Sequence, residues 1–128
     1  PFVADLVGVN LLAGVASGAD AILLPGRERV VGVAQDGLVE GRAAIASFVP
    51  AAVAVHTTEP SGSPRNHLRA TVAGIEPRGS LVRLTAHLAD GSPVAADLTL
   101  AASVDEGIVP GRSVWLVVKA AQVVLYPR

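Results

Sequence analysis

Apolar and polar residues alternate through much of the second half of the chain, which is the pattern of strands that bury one face. Asp90-Gly91 lies between two such runs and is a strong hairpin signal. A short run at 101–106 has helical spacing and ends at Gly107. The predicted strands of this half are 68–75, 81–88, 93–99, 114–119 and 122–126. Five strands with a short helix between the third and the fourth are the element order of an OB-type barrel, in which closure of the sheet removes exposed edges.

The apolar runs of the first half are shorter and are broken by turn-forming residues. Apolar side chains over 2–11 have a spacing close to i, i+3, i+4, which predicts a short N-terminal helix closed by Gly14. The stretch 57–64 contains no aliphatic residue and is the predicted boundary between two regions. The strands predicted before that boundary are 13–17, 20–24, 28–34, 42–48 and 51–56.

The predicted fold class is therefore all-β, an OB-type five-stranded barrel with a second β-subdomain. We expect a tail segment over 1–12, a first β-subdomain over 13–60 and the barrel over 61–128. Periodicity leaves open whether residues 13–60 form a complete barrel or lend strands to the other one.

Composition narrows the possible functions. The chain has 128 residues, of which 51% are apolar and 16% charged, and these values indicate one globular domain rather than a disordered tail. There is no cysteine, so thiolate catalysis and Cys-ligated metal centres are excluded. The three histidines are scattered along the sequence, which argues against a metal cage. The longest apolar runs are far shorter than a membrane span, so we expect no direct membrane insertion. Because the sequence opens with Pro1 rather than Met, we expect a fragment of a longer protein.

Charge and motifs point to anion binding rather than to catalysis. The chain has no Walker loop, no Gly-x-Ser-x-Gly elbow and no His-Glu-x-x-His pair, and we predict that it is not itself an enzyme. Residues 1–60 carry three Arg against six acidic residues, whereas residues 61–128 carry seven basic residues against five acidic ones. The second half is thus the better host for an anion. The low aromatic content, 3%, leaves few stacking platforms and argues against nucleic acid as a partner.

The segment before the first strand of the second half has groups that suit an oxyanion. Ser63 offers a hydroxyl and Arg65 a guanidinium, next to turn N–H groups that the sheet has not yet taken up. Lys119 ends an otherwise apolar strand, and the small Ala120 after it would let a ligand approach the backbone. The alternative interpretation is an ordinary turn with an exposed Arg.

Four ordered matches resemble the molybdate-binding domains known as Mop, molbindin or TOBE domains. Residues 63–66, Ser-Pro-Arg-Asn, look like the family's Ser-Ala-Arg-Asn; Leu98-Thr99 looks like its Ile-Thr; and 118–120, Val-Lys-Ala, look like its final Ile-Lys-Ala. Pro110-Gly111 falls at the usual turn of the family. The first half is similar to the region that follows the nucleotide-binding domain in ATP-binding subunits of bacterial molybdate ABC importers.

The resemblance implies a regulatory region that forms a homodimer, joins a transmembrane permease through its parent ATPase and lies at the cytoplasmic face of the membrane. Its ligand would be molybdate or tungstate, held at the dimer interface without any cofactor. The implied oxyanion-binding residues are Ser63, Arg65, Asn66, Thr99, Ser103, Lys119 and Ala120.

Two departures from the family pattern keep other functions open. Position 102 is Ala where the family has Ser, and Pro64 removes a backbone N–H. The alternatives are a structural dimerisation domain without a ligand, and a free molybdate-binding storage or regulator module.

Overall fold

The structure, a computed structural model, describes residues 8–61 and 65–128. The predicted all-β class is confirmed: two curled sheets contain eleven described strands. Their bounds are β1 Asn10–Ala16, β2 Ala21–Leu23, β3 Arg29–Val31, β4 Val33–Ala34, β5 Ala43–Phe48, β6 Ala54–His56, β7 Arg65–Arg78, β8 Leu81–Leu88, β9 Pro93–Thr99, β10 Ser113–Lys119 and β11 Val124–Pro127. One α-helix is described, α1 (Leu100–Asp105), together with two 3₁₀ turns, η1 (Pro50–Ala52) and η2 (Ala120–Gln122).

The two halves of the chain exchange one strand each. The first sheet, sheet A, has the order β3-β2-β1-β5-β11-β4, and the second, sheet B, has the order β6-β10-β7-β8-β9. The prediction that the last strand completes the C-terminal barrel is wrong, because β11 pairs with β5 in sheet A. β6 from the first half takes that place in sheet B and pairs with β10. Alternation along the sequence identifies a strand but does not specify its neighbour, so the exchange could not be predicted from periodicity.

The two sheets are copies of one pattern. β1 pairs with β5 over six residue positions beginning at Asn10, and the six positions of β7 beginning at Asn66 pair with β10 in the same register, preceded by the Arg65–Lys119 pair. The turns also correspond: the Gly41 N–H donates to Ala16, and the Gly111 N–H donates to the equivalent Val72. The chain is therefore an internal repeat in which residues 10–16 and 41–55 correspond to 66–72 and 111–125.

Matching buried asparagines join the halves. The Asn66 amide donates to the carbonyl oxygen of Val31 at 2.9 Å and accepts the Val31 N–H at 2.8 Å. Asn10 makes the same two bonds with Ala95, at 2.9 and 2.8 Å. Each side-chain amide thus bonds both the N–H and the C=O of one residue in the opposite half. Buried backbone groups need such hydrogen-bond partners.

Closure differs between the two sheets. In sheet A the strands at the two edges, β3 and β4, are consecutive in the chain and are joined through Gly32. The Val33 N–H bonds the carbonyl of Val123 at 2.8 Å, and a Cβ on Gly32 would lie 2.7 Å from that same oxygen. Glycine is therefore what lets β11 approach closely enough to close this sheet. Within the described residues of sheet B, no ladder joins its edge strands β6 and β9.

The expected N-terminal helix is wrong where the structure can test it. Asn10 and Leu11 begin β1, and Gly14 lies inside that strand rather than at a helix end. Alternation decides the outcome, because Leu12 is buried and Leu11 is exposed, as in a strand with one face on the core. Residues 1–7 of the predicted helix lie outside the described residues.

Other boundaries agree closely with the sequence pattern. β8 and β9 have the predicted bounds, and α1 begins one residue earlier than predicted. β7 is longer than expected, and the turn after it falls at Gly79, whose φ is +65°. The core is continuous across both sheets and is built mainly from Val, Ala and Leu. No helix among the described residues has the length and apolar character needed to cross a membrane.

Candidate functional site

Strand pairing brings two of the predicted site positions together. Arg65 and Lys119 are directly paired residues at the end of the β7–β10 ladder. Directly opposed residues have Cβ atoms about 5 Å apart, so two cationic positions are neighbours here. Lys119 is exposed, and Ala120, the next residue, begins η2. The structure thus places three predicted site residues at one corner of sheet B.

An open cavity of about 560 Å³ lies beside this corner. It is formed between the η1 and η2 regions, so both halves of the repeat contribute to its wall. Val49 and Lys119 are repeat-related positions, as are Ala52 and Gln122. The complete lining is Val49, Ala51, Ala52, Ala54, Val117, Lys119 and Gln122. Among these lining residues Lys119 is the charged one, which makes the cavity mainly apolar with one cationic side.

Sequence reasoning missed the η1 side of this cavity. The signal that could have revealed it is the repeat itself, since Gly-Arg at 41–42 recurs at 111–112, and Ala51 and Val53 recur as Ala121 and Val123. Aligned from that pair, Val49-Pro50 occupies the place of Lys119-Ala120. The N-terminal half therefore has an apolar residue where the C-terminal half has its lysine.

Asn66 has a structural role in the fold. It is 5% exposed, and its amide oxygen and nitrogen both bond the backbone of Val31. Its repeat counterpart Asn10 makes the same bridge where no oxyanion site is predicted. A direct contact between Asn66 and an anion stays a prediction.

The structure does not bring Thr99 and Ser103 to the cavity. The Thr99 hydroxyl accepts the Ala102 N–H at 3.1 Å and caps the start of α1. The buried Ser103 hydroxyl donates to the Leu100 carbonyl at 2.8 Å. Both hydroxyls are thus engaged within the helix, and neither residue lines the cavity. Ser63 lies outside the described residues.

The outer face of sheet B is polar near the Lys119 corner. On β7 the guanidinium of Arg69 lies 5.3 Å from the centre of the Trp115 ring, within the range of a cation–π contact. His67 Nδ1 lies 3.4 Å from a carboxylate oxygen of Glu59, and none of the described residues bonds its buried Nε2. The described residues contain no group of three His, Asp or Glu side chains arranged to hold a metal ion.

A separate ion pair lies further along the same face. Arg83 Nη2 donates to a carboxylate oxygen of Asp97 at 3.2 Å, and both side chains are mostly buried. This hydrogen bond, assisted by the carboxylate charge, raises the pKa of Arg83 above its ordinary value. Neither residue lines the cavity, so the pair stabilises the sheet rather than the candidate site.

Comparison with known proteins agrees with this architecture. Two curated relatives are the molybdenum import ATP-binding protein ModC of Mycobacterium tuberculosis strains CDC 1551 / Oshkosh and ATCC 25618 / H37Rv. Each is 38% identical over 128 residues, covering 98% of this chain and 35% of the relative. The chain thus spans about a third of the length of these relatives and aligns with their C-terminal part.

A solved structure of the cytoplasmic molybdate-binding protein ModG, with molybdate bound, matches with a TM-score of 0.82 at 26% sequence identity. The match covers 91% of this chain and 94% of ModG, so it includes both sheets. Residues 62–125, half of the sequence, match the TOBE domain family. This segment contains β7 to β10 and the Lys119 corner, and with the shared architecture it assigns the chain to the TOBE domain family.

Proposed function

We propose that this chain is the regulatory and dimerisation region of a molybdate-importer ATP-binding subunit, and that it binds molybdate or tungstate at the Lys119 corner. The observation that carries the proposal is the direct pairing of Lys119 with Arg65 beside an open cavity. Two cationic positions at one strand end suit a tetrahedral dianion, since each can provide a charge-assisted hydrogen bond. Similarity to ModC over nearly the whole chain supports the transport context.

The other polar side chains of the predicted site lie away from Lys119 within a single copy of the chain. Thr99 and Ser103 do not line the cavity beside Lys119, so a site of the family type needs them from a second copy. Ala102 supplies no hydroxyl. One missing hydrogen bond to a charged ligand weakens binding by about 1.5–3 kcal/mol, so we expect a weaker site than one with the full set.

Sensing requires the anion to prefer one state of the transporter. An anion held between two regulatory regions restrains import only if it binds the resting arrangement more tightly than the active one. A preference of about 1–3 kcal/mol is typical of such coupling. As part of its parent ATP-binding subunit, the chain would associate with the permease at the cytoplasmic side of the membrane.

Calorimetric titration of the chain with molybdate tests the binding step. Lys119→Ala and Arg65→Ala should each weaken binding at least tenfold, roughly the loss of one charge-assisted hydrogen bond. Arg42→Ala removes one positive charge from an exposed turn in the other half and should leave binding unchanged. An absence of heat with the unmutated chain at millimolar molybdate would overturn the proposal.

A dimerisation domain without a ligand is the second candidate. It is favoured by the internal hydrogen bonds that Asn66 and Ser103 donate to backbone carbonyls, which use these donors without an anion. The two candidates differ in linkage, because a ligand that binds the folded state raises the melting temperature. A melting temperature that does not respond to molybdate while the chain is dimeric would favour the structural role.

A further inference from the structure

The outer face of sheet A is mainly apolar across four neighbouring strands. Leu11 of β1 pairs with Ser47 of β5, and Ser47 pairs with Val124 of β11. Val124 in turn pairs with Val33 of β4, so one row of side chains crosses all four strands. Paired residues of neighbouring strands project from the same face of a sheet. We define the sheet A patch as six of these outward-facing residues: Leu11, Val15, Val33, Ile45, Val124 and Tyr126.

An apolar outer face is not a requirement of this fold. The repeat counterparts of Leu11 and Val15 in sheet B are His67 and Thr71. An antiparallel sheet that packs on the core with one face normally has polar residues on its other face, as sheet B has. A strand such as β1, which is apolar on both faces, is typical of a strand that is covered on both sides. A group of exposed apolar residues also marks an interaction site more often than scattered ones do.

The sheet A patch lies where the chain enters the fold. Leu11 is the second residue of β1, the first strand. This chain covers 35% of each curated relative and aligns with its C-terminal part, so most of a relative precedes the matched region. Seven residues precede Gly8, and seven extended residues span at most about 25 Å. A domain that ends near residue 1 would therefore lie within reach of the patch.

The size of the patch favours an occupant from the same polypeptide. Its most exposed members, Val33 and Val15, are 53% and 41% exposed, and the others are more covered. A separate protein usually needs about 800 Å² of surface on each partner for a stable complex. A domain of the same polypeptide is held nearby at a high effective concentration, so a smaller apolar contact is enough to dock it.

We infer that the sheet A patch is the docking surface for the ATP-binding domain that precedes this region in its parent subunit. The domain covers Leu11, Val15 and Val33 with apolar surface of its own. The outer face of sheet B, with Arg69 and Thr71, stays in contact with solvent. The inference rests on the proposed function in one respect, namely that the parent is an ATP-binding subunit.

A single introduced thiol tests this contact, since the chain has no cysteine of its own. Val15→Cys lies in the patch, and Thr71→Cys is its exposed repeat counterpart on sheet B. Alkylation by iodoacetamide is followed by mass spectrometry of the modified peptide, in the isolated chain and in the full-length subunit. Val15→Cys should react at least about tenfold more slowly in the full-length subunit, because a thiol in a packed contact reacts only when the contact opens. Thr71→Cys should react at the same rate in both proteins.

A charge in the patch should release the contact. Val33→Asp, added to Val15→Cys, should raise the alkylation rate in the full-length subunit about tenfold, because docking would bury an unpaired carboxylate. Val109→Asp is the matched control, since Val109 is 56% exposed, lies in the second half and is not part of the patch. Val109→Asp should leave the rate unchanged. Thermal melting of the isolated chain should be the same with either substitution, which excludes damage to the fold.

Four results would overturn the inference. The first is an equal alkylation rate for Val15→Cys in the isolated chain and in the full-length subunit. The second is equal protection of Thr71→Cys in the full-length subunit. The third is slow reaction of Val15→Cys in the isolated chain, which would identify a second copy as the occupant. The fourth is protection that arises only after the permease is bound.

The outcome is separable from that of the proposed function. If the isolated chain gives no heat with molybdate but Val15→Cys is protected in the full-length subunit, the docking surface stands and the anion proposal fails. If the chain binds molybdate and Val15→Cys reacts equally in both proteins, the docking surface is wrong and the anion proposal stands.

Discussion

The two halves of the repeat share their inner faces and differ on their outer faces. At the outward positions of β1 the first half has Leu11, Ala13 and Val15, and at the matching positions of β7 the second half has His67, Arg69 and Thr71. The inward positions of both strands are apolar, as Leu12 and Leu68 illustrate. Core packing therefore restricts the inward-facing residues of each strand to apolar types, whereas the outward-facing residues differ in polarity between the two halves.

The two sheets also differ in how their edge strands are joined, although their inner faces are alike. Sheet A needs Gly32 close to the Val123 carbonyl, whereas the repeat-related position in sheet B is Ala96, whose Cβ is accommodated and fully buried. The edge strands of sheet A are thus joined through Gly32, whereas no ladder joins the edge strands β6 and β9 among the described residues of sheet B. The Arg65–Lys119 pair of the candidate site lies in sheet B, the sheet without this closure.

The largest expected effect is on this closure. Gly32→Ala should lower the free energy of unfolding by about 3 kcal/mol, because the added Cβ would meet the Val123 backbone oxygen at 2.7 Å and β11 would have to move. Urea unfolding measures the loss. The matched change Ala96→Gly in sheet B should cost about 1 kcal/mol, the ordinary cost of glycine in a strand. Equal effects at the two positions would contradict the assigned difference in closure.

The asparagine bridges should show the opposite behaviour, an equal effect in both halves. Asn10→Ala and Asn66→Ala should each lower the free energy of unfolding by about 2 kcal/mol, because each removes two hydrogen bonds and leaves the backbone groups of Ala95 or Val31 without partners. Urea unfolding of the two variants checks the symmetry. A loss confined to Asn66→Ala would show that the bridges are not equivalent.

A smaller effect is expected at the hairpin turns. Arg27 has a φ of +76° at the position where the second half has Gly91 with a φ of +89°. A non-glycine residue with this backbone conformation costs about 1–2 kcal/mol. Replacing it with glycine recovers this cost, but part of the recovery is lost because glycine has greater conformational freedom in the unfolded chain. Arg27→Gly should therefore stabilise the fold by about 0.5 kcal/mol and Gly91→Ala should destabilise it by about 1 kcal/mol. Thermal melting would contradict the comparison if both changes had the same sign.

The smallest effect is expected on the outer face of sheet A. Ala13→Arg introduces the residue that the second half already has at Arg69, so stability should change by less than about 0.5 kcal/mol. The control Leu12→Arg places the same charge on the buried face and should prevent folding. A large loss in Ala13→Arg would show that the outer face of sheet A is constrained by contacts that sheet B lacks.

Much of the fold follows from sequence because local patterns decide it. The bounds of β8 and β9 follow from alternation and from the Asp90-Gly91 turn, whose Gly91 has the expected positive φ. The helical expectation for the N-terminal stretch failed at Asn10 because a short apolar stripe fits either period. The exchange of β6 and β11 depends on contacts between distant segments, which no local pattern encodes.

The candidate site was predictable where strand order fixes it and not where tertiary contacts do. Lys119 and Arg65 could be grouped by family resemblance, and the β7–β10 register now pairs them. The cavity wall at Val49 and Ala52 could not be inferred without knowing that η1 faces η2. The internal bonding of Thr99 was equally hidden, since a Thr before a helix can cap it or face a ligand.

The reciprocal borrowing of β6 and β11 has a consequence for how the molecule comes apart. Neither barrel can lose its own last strand without pulling on the other, so thermal or chemical unfolding should proceed as one cooperative transition. Proteolytic cleavage between β6 and β7 would leave two fragments that stay associated under native conditions, because each contributes a strand to the other's sheet. Movement imposed on one barrel is for the same reason passed mechanically to the other.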